Sequence, residues 1–456
     1  MKKLLAFLLA LLLCLSCLVP AFAEEPEPTT AAPDATQATT EPPEETTEAP
    51  ALPEAYLKWA HGGPYDDRGA FDRSFRQYYA ADLDVEIINN MVFLKGTVNQ
   101  YPSKETGYRL IDFFATDELE RTVKTLRIPA EVNGLRVMIL PVCQTDPPID
   151  DPDAAVSNDS VTKVILDEGF TEVPRFAFRN FTALKTVRLP ASVLCIERSA
   201  FENCKKLSKL LGGGVVQVET AAFKNCKKLA SFPKMENIVG IQGNAFYGCG
   251  FETLTLNGTG HMVGASGDFD YYAMSDAFAN CKKLKSVTFL PSGKYPRLWI
   301  GAGAFRGCSA LESVTFPKKT NGIHILRRAF QDCTKLKTLK NVGKLKTISN
   351  NAFARCTSLE RFVLPEGIEM VAERPFKGCK NLKTLDIRSV DIDLFGRGYG
   401  LYGNYYWGST TGASEEVSSA NFVKYLPKGC TVFVPTIEMQ QIAQIHGCKN
   451  TIKVKK

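Results

Sequence analysis

One short motif returns nine times along this chain. It reads Ala-Phe-x-x-Cys-x-x-Leu-x-x-(Val/Leu)-x-(Leu/Phe)-Pro, with its Phe at Phe178, Phe201, Phe223, Phe246, Phe278, Phe305, Phe330, Phe353 and Phe376. Successive spacings are 23, 22, 23, 32, 27, 25, 23 and 23 residues. A unit this short cannot bury its own apolar face, so neighbouring units must stack and share one continuous core. The length of 456 residues, long for a single compact core, and the ordinary 45% hydrophobic and 23% charged content fit such an array.

Each unit translates into local geometry. Phe353, Cys356 and Leu359 stand three apart, which predicts three apolar groups on one side of a tight helical turn. Phe362 and Leu364 then alternate about Val363, the period-two pattern of a strand with one buried face. Pro190, Pro291, Pro317 and Pro365 follow such strands, where a residue without an N–H ends a ladder at little cost. A second apolar pair, as in Val193 and Ile196, leads into the next Ala-Phe. The expected fold is an α/β repeat solenoid: a curved rod of short parallel strands and helical turns. Its sheet would run on the order of 40 Å at ~4.8 Å per strand.

At these residues the chain resembles the bacterial BspA-like leucine-rich-repeat family (LRR_5 type). The similarity extends over about residues 123 to 454. Leu126-Arg127-Ile128-Pro129 through Asn133-Gly134-Leu135-Arg136-Val137 resembles the family's opening segment. Gly429-Cys430-Thr431-Val432-Phe433-Val434-Pro435, with the helix-like stretch to His446, resembles its closing cap. The pattern is broken by Phe181 in place of Cys in the first copy and by Pro375 in place of Ala in the ninth. The resemblance implies a leucine-rich-repeat solenoid with terminal caps, displayed at a bacterial surface for adhesion or for host and matrix contact. It names no ligand.

Lys2 and Lys3, the apolar run Leu4 to Val19 and the small-residue site Ala21-Phe22-Ala23 read as a signal peptide over 1–23, implying export. A lipoprotein anchored through Cys17 is the alternative, although Cys14 stands where Leu is usual. Residues 24–54 hold nine acidic side chains and no Lys or Arg among Thr, Pro and Ala, the composition of a disordered tether, either a plain spacer or one bearing sugars on Thr. The formal charge of +6 divides into +2 for the leader, −9 for the tether and +13 for the rest. Beyond the tether, the expected parts are an amino-terminal β-rich cap over 55–122, with strands near Val85 to Ile88 and Met91 to Leu94, and a solenoid over 123–392 with insertions near 143–160 and 257–276. A Gly/Tyr-rich insertion over 393–420 and a carboxy-terminal cap over 421–456 complete the order. After leader cleavage no stretch is long and apolar enough to span a bilayer.

Fourteen Cys in an exported chain invite a disulfide scaffold. Two lie in the leader, however, and eight share one register: Cys204, Cys226, Cys249, Cys281, Cys308, Cys333, Cys356 and Cys379. Stacking spaces them by ~4.8 Å, beyond the ~3.8 Å Cβ separation that disulfides favour, so buried reduced thiols are expected. Cys430 and Cys448 are the candidates for a disulfide. Neither metal nor cofactor is expected, because no Cys or His pair stands at ligand spacing. The acidic loop from Asp146 to Asp159 lacks an ordered calcium motif.

Three surfaces are binding candidates. Outward strand positions carry hydroxyls at Thr186, Thr253, Thr255, Ser286, Thr288, Ser313, Thr315, Thr338 and Thr384, suited to hydrogen-bonding a glycan or an extended peptide, although Thr also favours strands for its shape. The Cys-Lys-Lys-Leu repeats place Lys205, Lys206, Lys227, Lys228, Lys282 and Lys283 on one edge, as a stripe for an anionic partner or simply as solvated turns. The insertions carry Tyr271 and Tyr272, and Tyr399, Tyr402, Tyr405, Tyr406 and Trp407 among glycines, a composition typical of adaptable contact surfaces. His61, His261, His324 and His446 are scattered without a catalytic motif around any of them, so turnover is not expected. The sequence therefore points to an exported, surface-associated binding protein. Its partner would be an extracellular protein or a glycan, with nucleic acid not expected. A structural cell-envelope scaffold is the alternative, and an enzyme the least supported class.

Overall fold

The computed structural model describes residues 84–100, 103–114, 117–139, 158–238, 240–257, 275–291, 297–390 and 419–455. All lie in the unit Pro50–Lys456. The leader, the tether, most of both loop insertions and nearly all of the Gly/Tyr-rich insertion fall outside the described residues.

The strands after each Cys-x-x-Leu form one face of the solenoid, here the front. They comprise three four-stranded sheets in which every pairing is parallel: Thr125–Ile128, Lys163–Leu166, Thr186–Leu189 and Lys209–Gly212; Thr253–Asn257, Ser286–Leu290, Ser313–Thr315 and Thr338–Lys340; and Arg361–Val363, Thr384–Asp386, Thr431–Val434 and Ile452–Val454. Alternation does the sorting: in Thr125–Ile128, Leu126 and Ile128 are buried while Thr125 and Arg127 are exposed. The front ladder is interrupted where Phe232-Pro233 and the 3-10 turn Met235–Asn237 replace a strand.

The apolar pair before each Ala-Phe proves to be a second strand. These shorter strands build a rear face of two parallel sheets: Glu172–Val173, Cys195–Ile196, Gln217–Val218 and Gly240–Ile241; and Arg297–Ile300, Gly322–Ile325, Leu345–Ile348 and Met370–Val371. Val193 and Ile196 are fully buried between the faces.

The corner joining rear to front is not helical, which corrects the expected helical turns. In the first eight copies, residues two before and two after the motif Phe adopt left-handed backbone, as in Ser199 and Asn203 about Phe201 (φ 53° and 64°) and Asn351 and Arg355 about Phe353 (φ 58° and 59°); in the ninth, only Gly378 does. No α-helix survives a left-handed residue every fourth position. The arrangement satisfies the backbone in two directions at once. Ala200, Glu202 and Cys204 donate within the corner to Glu197, Ser199 and Phe201, whereas Ser199, Phe201 and Asn203 donate to Thr220, Ala222 and Lys224 of the next coil at 2.8–3.0 Å. Alternate N–H groups thus close the turn and join the stack. Among the described residues the α-helices are Asp117–Thr122 and Ile437–Ile445, both outside the repeats.

The motif Phe rings form an unbroken column, with consecutive centroids 5.2–5.8 Å apart and planes within 15°. Phe246 and Phe278 stack at 5.3 Å despite their spacing of 32 residues, so that insertion leaves the core register intact. A tenth ring, Phe113, stacks on Phe178 at 5.4 Å. It directly follows Ser103–Asp112, the central strand of a five-stranded sheet in the order Asp84–Ile88, Met91–Gln100, Ser103–Asp112, Leu135–Ile139, Glu131–Val132. Phe181, which replaces the first motif Cys, is buried edge-on to Phe113 and Phe178. Pro375 costs its corner one donor, yet its carbonyl still accepts from Phe353 N–H at 2.9 Å.

Candidate binding faces

The interior is chemically closed. Each thiol of the register is buried and donates to the Phe carbonyl one coil upstream, from Cys204 to Phe178 (3.1 Å) through Cys379 to Phe353 (2.9 Å). Burial holds the Cys226, Cys249, Cys308 and Cys356 thiols well above their usual range and pushes Cys379 up to about 12, so thiolate chemistry is suppressed. Cys430 is buried and Cys448 half-buried; both are free thiols, and burial followed by the neighbouring Cys448 pushes Cys430 up to about 11.

A polar ladder runs beside the thiols and was not foreseen from the sequence. Asn203 Nδ2 donates to Asn180 Oδ1, and Asn225 Nδ2 to Asn203 Oδ1, each at 2.9 Å. The signal was present in Phe-x-Asn-Cys, since Asn tolerates left-handed backbone better than other side chains. On the rear, Glu197 and Glu219 accept from the backbone N–H groups of Arg175 and Arg198. Burial, then mutual repulsion with Glu197, raises Glu172 and Glu219. These carboxylates also act on the half-buried thiol of Cys195, pushed up to about 12 chiefly by burial. These acids therefore serve the fold.

The expected hydroxyls separate by sheet. Thr253, Ser286, Ser313 and Thr338 form one cross-strand row, and Thr255, Thr288 and Thr315 a second that ends at Lys340. Thr186 and Thr384 stand in the other two sheets. The lysine stripe is partly assembled. Lys205, Lys206, Lys227 and Lys228 lie exposed on consecutive corners, but Gly250-Phe251 occupies the following corner and separates them from Lys282 and Lys283. Tyr271, Tyr272, Tyr399, Tyr402, Tyr405, Tyr406 and Trp407 lie outside the described residues.

Two further features emerge only in three dimensions. An open cleft of about 450 Å³ near the amino-terminal sheet is lined by Met91, Phe114, Leu126 and Pro129, and its charges, Arg127 and Asp167, are paired at 2.8 Å. On the rear face Trp299 and His324, cross-strand partners, stack at 3.9 Å and 11°. His324 is 6% exposed, its Nδ1 lies 3.1 Å from Thr347 Oγ1, and its buried Nε2 has no hydrogen-bond partner. Burial lowers its pKa to about 4, which keeps the ring neutral at physiological pH.

Two parallel faces joined by short corners around a Phe and Cys core define a leucine-rich-repeat solenoid. The chain belongs to the BspA type leucine rich repeat region family, whose model matches residues 152–266 and 273–396 in six copies. No curated protein matches the chain. Among solved structures it is similar to a leucine rich cell surface protein from Faecalibacterium prausnitzii A2-165 (19% identity, 68% of this chain and 91% of that one, TM-score 0.32). It is also similar to the pneumococcal vaccine antigen PcpA (16% identity, 82% and 99%, TM-score 0.40) and to a leucine rich repeat protein of T. pallidum (20% identity, 59% and 87%, TM-score 0.30).

Proposed function

We propose that this chain is an exported, surface-associated binding protein. The observation that carries this reading is the division between a sealed interior and open faces. Phe, Cys and Leu at each coil are consumed by the core, and the backbone donors are consumed by corner and stack. The residues free to differ from coil to coil are the outward strand positions, the exposed corners and the insertions, and these are where recognition must reside. Membership of a repeat family supports contact over catalysis.

The Gly/Tyr-rich segment is the principal contact element in this reading. Its five aromatics, Tyr399, Tyr402, Tyr405, Tyr406 and Trp407, supply large amphipathic area at low rotamer cost. Lys205, Lys206, Lys227 and Lys228 add long-range attraction for an anionic partner. The basic leader charge, apolar run and small-residue site support export from the cytoplasm. The test is an array of host proteins and glycans probed with the full mature chain and with a variant lacking residues 395–416. Loss of the array signals on deletion supports the reading; full retention assigns recognition elsewhere, and no signal from the intact chain removes the binding role.

A further inference from the structure

The first front sheet carries a staggered set of cations that the lysine stripe does not include. Lys163 and Lys209 share one outward row, each opposite Thr186 on the strand between them. Arg188 stands in the second row, between Ile165 and Leu211. Lys185 immediately precedes the strand Thr186–Leu189, and all four cations are exposed. Among the described residues none of the four has an ion pair, whereas Arg127 in the second row is neutralised by Asp167 at 2.8 Å.

Register explains how this charge density is tolerated. No cation in either row faces another directly across a strand pair, the arrangement in which like charges most destabilise a sheet. With strands ~4.8 Å apart, Lys163, Arg188 and Lys209 advance one charge per strand along the stack while alternating between two rows ~6.6 Å apart. The half-exposed Thr186 hydroxyl lies at the centre of the three. The next front sheet, with its hydroxyl rows, bears no such cluster, so the charge is a local device and not a property of the fold.

We propose that this face, strands Thr125–Ile128 to Lys209–Gly212, binds a linear acidic polysaccharide with about one carboxylate or sulfate per sugar, lying along the stack. Charge complementarity selects a polyanion, and the one-charge-per-strand advance selects a polymer whose anions recur at close, regular intervals. The outward positions of these strands are Thr125, Arg127, Lys163, Ile165, Thr186, Arg188, Lys209 and Leu211, with no aromatic ring to stack a base. That separates a polysaccharide from a single-stranded nucleic acid. The inference rests on the binding reading above but assigns it a second, independent face.

The test titrates the full mature chain with polygalacturonate and heparin, and with neutral dextran and oligo-dT as comparators, over a series of salt concentrations. The expected result is binding to an acidic polysaccharide that weakens with salt and falls at least tenfold in the triple variant Lys163→Glu, Arg188→Glu, Lys209→Glu. The control pair Lys318→Glu, Lys319→Glu, exposed and outside this face, changes it less than twofold. Both variants are exposed-site changes, and an unchanged melting profile confirms their fold. Equal binding by the triple variant, or oligo-dT bound more tightly than either polysaccharide, overturns the proposal. If the triple variant loses polysaccharide yet keeps the array partners that require 395–416, both readings stand. If polysaccharide never binds while those partners do, this inference alone fails.

Discussion

His324 should make the stability of the rear face depend on pH in a way that can be calculated. Its ring lies against Trp299, and burial, opposed by Glu369 and assisted by Arg297 and Lys346, lowers its pKa from 6.5 to about 4. A base whose folded pKa lies below its unfolded value contributes fully above the unfolded pKa. That contribution is lost as pH falls, because the unfolded chain binds a proton the folded chain refuses. The window is therefore 6.5 down to about 4. At 1.36 kcal/mol per unit the full loss is roughly 3 kcal/mol, of which about 2 kcal/mol falls between pH 7 and pH 5. His324→Phe keeps a ring against Trp299, removes the orphaned Nε2 and cannot titrate. Urea unfolding of the wild type and the variant, at pH 7 and pH 5, isolates the term by difference. The variant should gain about 2 kcal/mol on the wild type between the two values. Parallel losses in both proteins would refute the argument, showing that His324 is not held neutral by burial.

Three other consequences follow from the packing of the rings and thiols. Phe305 is fully buried between Phe278 and Phe330, each 5.5 Å away, so Phe305→Ala should cost about 3–5 kcal/mol, measured by denaturant unfolding; a cost under 1 kcal/mol would mean that the stack collapses around the gap. Among the described thiols of the native protein, an alkylating reagent should label Cys195 and Cys448 first and leave the eight register thiols untouched until denaturant is added. Mild oxidation should join Cys430 to Cys448, detected as a linked peptide pair under non-reducing conditions; pairs within the register would contradict the thiol-to-carbonyl geometry.

Much of the repeat was legible because its periods are simple. Phe353, Cys356 and Leu359 are buried as their three-residue spacing predicts, and Phe362 and Leu364 point inward on either side of the exposed Val363. The helical corner was misread because a three-residue apolar spacing fits a helical turn and a chain of left-handed β-turns equally well. Only the backbone signs at Ser199 and Asn203 distinguish them. The rear strands are two to four residues long, too short for a period to declare itself. Phe113 was hidden for another reason: it lies 65 residues before Phe178 with no motif around it, and only the stack shows it to be the tenth ring.

The stacking of the units, the side chains that meet in the columns and the shared register of the thiols are legible in the repeat alone, since a period acts on every copy alike. Tertiary structure alone decided the relations between copies. It set Lys163, Arg188 and Lys209 in a stagger and divided the hydroxyls among sheets. It also split the lysine stripe at Gly250-Phe251 and shut His324 against Trp299. Those relations depend on register across strands, and register is fixed by hydrogen bonds between coils that no single unit contains.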